Sequence, residues 1–161
     1  MTSRNAETWR LAATLAYTMM LALLFAQVEI HIEGDAGWAA NLPTWRIEDH
    51  WMLDVFWGGR PLTGYHATMF SFIGLAFHLP AFFKPRWGWP DEARVLGCLM
   101  VFWIVEDFLW FVTNPGYGIG RFTEEHIAWH KHWFLFAPVD YWVFGMIALA
   151  LLVYSMRSRA A

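Results

Sequence analysis

Two acids stand side by side in an otherwise uncharged apolar run: Glu106 and Asp107, inside the stretch Val95 to Asn114. An intramembrane carboxylate costs about 2.5–3.5 kcal/mol on the insertion scale, so an adjacent pair demands a partner, a proton or a function. General acid or base chemistry is the work such groups do when shielded from water. A second set has ligand chemistry. Glu29 and Glu33 are four residues apart and face the same way on a helix, His126 and His130 have the same spacing, and His66 and Asp140 complete the set. Imidazole mixed with carboxylate selects zinc or a transition metal such as iron over calcium or magnesium. Drawn from several helices of one bundle, such a set is how carboxylate-rich metal sites are built.

The chain that must position these residues has 161 residues, 58% hydrophobic and only 16% charged. Soluble domains run near 45–50% apolar and about 25% charged, so both values are displaced toward lipid. Twelve Trp, five Tyr and fourteen Phe fit a membrane interface. The net charge of −3 excludes phosphate-backbone attraction and hence a nucleic-acid partner, and the lone Cys98 excludes an intrachain disulfide.

Uncharged runs of helical length place four transmembrane helices at approximately 10–33, 66–83, 94–114 and 139–157. The expected fold is all-α, an up-down four-helix bundle forming a single membrane domain over 1–161. The N-terminal tail, the loop from Lys84 to Arg94 and the C-terminal tail hold seven Lys and Arg, against four in the other two loops (Arg46, Arg60, Arg121, Lys131). By the positive-inside rule both termini are cytoplasmic, in a multi-pass protein of a bacterial-type inner membrane. Each outer loop is expected to carry a short amphipathic helix. Thr44 would cap one from Trp45 to Trp57, with Trp45, Trp51, Met52, Val55 and Phe56 at the membrane surface. Thr123 would cap the other, from Glu124 to about Phe136, which puts His126 and His130 on one face.

Helical rise sets the depths. Glu29 lies about 28 Å from Arg10, His66 about 27 Å from Lys84 and Asp140 about 25 Å from Arg157, all at the outer end. Glu106 and Asp107 lie deeper, about 18–20 Å from Arg94. On the outer side eleven acids face four bases, and a bound cation would supply the missing charge.

The leading expectation is therefore a small membrane metalloenzyme acting on a lipid or other hydrophobic small molecule at the outer leaflet, by hydrolysis or oxygen chemistry. Glu29, Glu33, His66, His126, His130 and Asp140 would hold zinc or iron, and Glu106 or Asp107 would be the acid or base. A second reading needs no metal: the buried acid protonates an alkene or epoxide and the Trp rings stabilise the cation, as in a membrane isomerase or terpene cyclase. A third is an ion or metal transporter, or a structural subunit of a membrane complex. The inner half offers only His78 to a polar path, which argues against transport. Trp103, Trp110, Trp129 and Trp133 are expected as walls, and self-association into a homo-oligomer is compatible with all three readings.

Overall fold

A computed structural model describes residues 3–160, without the side chains of residues 3, 4, 55, 56, 159 and 160. Val55 and Phe56, expected at the membrane surface, and Arg4 and Arg159 of the charge count therefore lie outside the described side chains. The chain is 66% helical with a few two-residue strands. In order it forms α1 (Ser3–Glu33), β1 (Arg46–Ile47), α2 (Trp51–Phe56), β2 (Leu62–Thr63), α3 (Gly64–His78), α4 (Trp89–Thr113), β3 (Trp133–Phe134), β4 (Ala137–Pro138) and α5 (Val139–Ala160). Three helices are long and apolar enough to cross a membrane, Asn5–Glu33, Trp89–Thr113 and Val139–Ser158. These are the helices of a membrane protein, and their outward faces expose large apolar side chains such as Leu24, Leu149 and Met146.

Local chemistry fixes the helix ends. Gly34 adopts a left-handed φ of 69° and stops α1, as its position predicts. Gly88 precedes α4 in extended conformation, Pro90 sits in the first turn, and Asp91 reaches back to accept from the Gly88 N–H at 3.1 Å. At the far end of α4, Asn114 donates to the Gly34 carbonyl at 2.8 Å and accepts from the Gly116 N–H, which ties the ends of α1 and α4 together. Thr63 caps α3, its hydroxyl accepting from the His66 N–H at 3.2 Å.

Helix α4 is the centre of the molecule. Against it α1 lays Thr18, Ala22 and Ala26, small residues four apart and almost wholly buried, which let the two backbones approach closely. On the other flank Gly97 faces Leu152 and Ala148 of α5; a Cβ added there would lie 2.8 Å from Leu152 Cγ. Helix α3 leans on the α1–α4 pair through Ile73, which packs with Ala22 and Phe102. It has 15 residues and is prolonged by a 3-10 turn, Leu79–Phe82, so it is shorter as an α-helix than the span expected at 66–83. The two long connections, 34–63 and 114–138, lie together at one end, hereafter the loop end. At the other end, Arg94 joins three helices by donating to Glu7 at 2.9 Å and to Ser155 at 3.2 Å.

Neither long connection folds as its sequence pattern predicts. In the first, Trp45 to Trp57 is not one helix. Arg46 and Ile47 are extended and pair with Thr63 and Leu62, and only Trp51–Phe56 is helical, capped by the His50 ring. Thr44 instead accepts from the Tyr65 N–H at 3.1 Å. This pairing brings Trp45 against Gly64, where a Cβ would lie 2.5 Å from the indole nitrogen. In the second, Thr123 opens one turn, its carbonyl accepting from the His126 and Ile127 N–H groups, and the helix then stops. Burial of Ile127 against Trp110 and Phe111 holds the chain in turns, and it finishes as the β3–β4 hairpin, with Leu135 left-handed at φ 56°. The expected helix from Glu124 to Phe136, and with it the shared face of His126 and His130, is absent.

Candidate functional site

The faces that bury the helices also aim the ionisable residues. Along α1, Glu29 and Glu33 continue the stripe of Ala22 and Ala26, each seven residues further on, so the packing face of the helix turns carboxylates inward. Along α4, Phe102, Glu106 and Trp110 are four apart and all buried, and Asp107 is rotated toward α5. Between them, at the loop end, lies a cavity of about 190 Å³. Glu29, Glu33, His66, Glu106, Asp107, His130 and Asp140 all line it. His126 does not: its side chain is exposed and its ring contacts Thr123 Oγ1 at 2.8 Å.

Two polar groupings share the cavity. In the first, the Glu29 and Glu106 side chains line the same wall of the cavity, and Tyr65 donates to Glu29 Oε1 at 3.0 Å. Glu106 is 3% exposed, and its Oε1 has no partner in the protein. Glu33 accepts from the Ala39 N–H while Arg46 donates to the Ala39 carbonyl. This clamp holds Trp38 and Ala39 in left-handed backbone, φ 44° and 52°, a conformation that costs about 1–2 kcal/mol per residue. Trp38 is thereby laid flat on His66, centroids 4.1 Å apart, and covers the cavity.

In the second, Asp107 Oδ2 accepts from His130 Nε2 at 3.0 Å and from the Tyr141 hydroxyl. His130 Nδ1 lies 3.5 Å from Asp140 Oδ2, and Asp140 is paired with Arg60. Arg60 in turn sits over the Trp38 ring, 4.8 Å from its centroid. Burial opposes charging of the His130 ring, but the Asp107 carboxylate and the hydrogen bonds to Asp107 and Asp140 outweigh it. Its pKa is raised above the ordinary histidine value.

The remaining walls are mostly aromatic. Trp103 packs on Phe70 at 4.1 Å, Phe111 stacks on Trp129 at 5.7 Å, and Trp110 stands edge-on to Trp129 at 6.1 Å. Of the four Trp expected as walls, Trp103, Trp110 and Trp129 line the cavity; Trp133 stands behind it and donates to the His130 carbonyl. His78, the imidazole expected in the inner half, is at the opposite end on Glu92 at 3.0 Å.

Among the described residues, no three His, Cys, Asp or Glu side chains converge closely enough to hold a metal ion. His126 stands apart, His66 Nδ1 is engaged by Thr63 at 2.7 Å, and His130 is held between two carboxylates. Tyr65, Tyr141, Arg60, Trp38 and Trp57 join the site without having stood out in the sequence as candidate site residues. For the tyrosines a signal existed, since each directly adjoins a chosen residue, in Tyr65-His66 and Asp140-Tyr141. No family model, curated protein or solved structure matches the chain.

Proposed function

We propose that the protein is a membrane acid–base enzyme that shifts or closes carbon–carbon double bonds in an unsaturated lipid. The observation that carries this reading is two buried carboxyl groups, Glu29 and Glu106, lining one cavity among Trp and Phe, where one of them serves as the proton donor. The proton passes to one carbon of a double bond, whose π electrons form the new C–H bond and leave the neighbouring carbon cationic. Ring faces of Trp103, Trp110 and Trp38 stabilise that cation without a nucleophile to trap it. The pair, now carrying one more negative charge, takes a proton from a carbon beside the cation, and the electrons of that C–H bond become the new double bond. Atoms and charge are restored, with no oxidant or cofactor consumed. Tyr65 positions Glu29, and the Asp107–His130–Asp140–Arg60 network braces the opposite wall. Incubation of the purified protein with an unsaturated prenyl lipid in deuterated water tests the reading: deuterium enters the allylic carbons with the wild type and not with Glu106→Gln.

The same account takes residues 64–82 as a fourth crossing that completes an up-down bundle in a bacterial-type inner membrane, with both termini cytoplasmic. The seven Lys and Arg of the tails and the 84–94 loop support this orientation, and it puts the cavity in the outer half of the bilayer. A second reading places zinc or iron at the cavity. It is supported by Glu29, Glu33 and Glu106, none of which forms an ion pair with a described residue. These carboxylates do not converge on a common point as they stand, so no step is assigned to a metal.

A further inference from the structure

Four buried side-chain polar atoms lack a partner among the described residues, and three of them belong to residues of this one cavity: Trp57 Nε1, Trp110 Nε1 and Glu106 Oε1. Buried polar groups are nearly always satisfied, so a concentration of orphans in one cavity points to a ligand. An indole N–H only donates, so that ligand presents an acceptor oxygen. The oxygen is electrically neutral. Arg60 is already paired with Asp140, and Glu29, Glu33 and Glu106 on the same walls repel a phosphate or carboxylate. Trp110 lies one helical turn, about 6 Å, from Glu106 toward the loop end of α4. In the other direction the cavity runs past Ile104 to Met100, about 9 Å beyond Glu106. There its walls are Met69 and Phe70 of α3 and Phe144 of α5, which flank α4 on either side; Phe144 is exposed.

We infer that the cavity takes a neutral, singly oxygenated, branched-chain unsaturated lipid, an alcohol or ketone of prenyl type. Trp57 and Trp110 donate to its oxygen, and its tail lies in the cleft between α3 and α5, through which it enters from the bilayer. The double bond that reacts lies beside Glu106, one helical turn or about 6 Å along α4 from the level of Trp110 and the oxygen. Branching at that bond gives a tertiary cation, the kind that the aromatic walls can hold. The inference rests on the acid–base reading for which atom reacts, but not for what binds.

The test is equilibrium binding to the full chain in nanodiscs, using farnesol, the same triene without its hydroxyl, and the corresponding carboxylic acid. Farnesol is expected to bind at least about tenfold more tightly than the triene, because the triene leaves both indoles unpaired. The double variant Trp57→Phe/Trp110→Phe is expected to lose that preference while keeping its affinity for the triene, which also shows that it is folded. Equal affinity for alcohol and triene in the wild type, a preference that survives in the double variant, or tighter binding of the acid than the alcohol would overturn the inference. Glu106→Gln separates the two proposals. Lost turnover without any alcohol preference sinks this inference and leaves the acid–base reading. Retained turnover with the preference intact sinks the acid–base reading and leaves the binding site.

Discussion

His130 is the residue whose removal should be felt most. Its ring is 1% exposed and bridges Asp107 and Asp140, contributed by α4 and α5, while its backbone belongs to the second long connection. His130→Ala leaves Asp107 with the Tyr141 hydroxyl and Asp140 with Arg60 as the side-chain partners among the described residues. Breaking a buried charged pair from one side costs about 3–5 kcal/mol. For a chain of this size each kcal/mol moves the unfolding midpoint by about 2–4 °C, so a fall of roughly 6–20 °C is expected. The effect has a pH signature. The folded pKa of His130 is raised above its unfolded value near 6.5, so its contribution is complete below about pH 6.5 and is lost as pH rises through the elevated folded value. Thermal unfolding in detergent, followed by a thiol-independent dye from pH 6 to pH 9, should show the wild type weakening with rising pH and the variant flatter. Asp107→Asn combined with His130→Ala should cost less than the sum of the single changes, because the two share one interaction. A His130→Ala loss under about 1 kcal/mol, or identical pH dependence in the two proteins, would refute the role assigned to the bridge.

Other outcomes follow from the same geometry. Tyr65→Phe should keep the fold but lower kcat by at least about tenfold, since Glu29 loses the hydroxyl that donates to it; unchanged kcat would remove Tyr65 from the machinery. Gly64→Ala should destabilise by about 1–3 kcal/mol in chemical denaturation, because its Cβ would lie 2.5 Å from the Trp45 ring; a neutral effect would show that Trp45 is not seated there. Chelation should leave activity intact and elemental analysis should find no stoichiometric zinc or iron, whereas one bound ion per chain would revive the metal reading. Cysteine labelling at Thr123 from outside intact cells, with none at Arg86, is the expected pattern for cytoplasmic termini; the reverse pattern inverts the orientation.

Long apolar runs and the clustering of acids were readable from the chain because both are properties of composition along single helices. Helical phase alone turned Glu29, Glu33, Glu106 and Asp107 toward one another once Ala22, Ala26, Phe102 and Trp110 marked the packing faces. The loops were not readable in this way. His126 and His130 have perfect helical spacing, but Ile127 gains more by burial against Trp110 and Phe111 than the segment gains from continuing a helix. Likewise Trp45-Arg46-Ile47 pairs with a strand sixteen or so residues later, a contact that local propensity does not encode. Arg60 looked like one of four scattered bases. Only the folded chain shows that it neutralises Asp140 and lies on Trp38, which takes Asp140 out of the carboxylates left for a metal.

In the proposed reaction Glu29 and Glu106 give and retake a proton on carbon. Mass spectrometry of farnesol recovered after incubation with the nanodisc-embedded protein in deuterated water tests this directly. Time-dependent deuterium is expected at the carbons flanking one internal double bond, abolished by Glu106→Gln while farnesol still binds. Deuterium uptake that is equal for wild type and Glu106→Gln, or no uptake by a wild-type protein that binds farnesol, would contradict the proposed reaction.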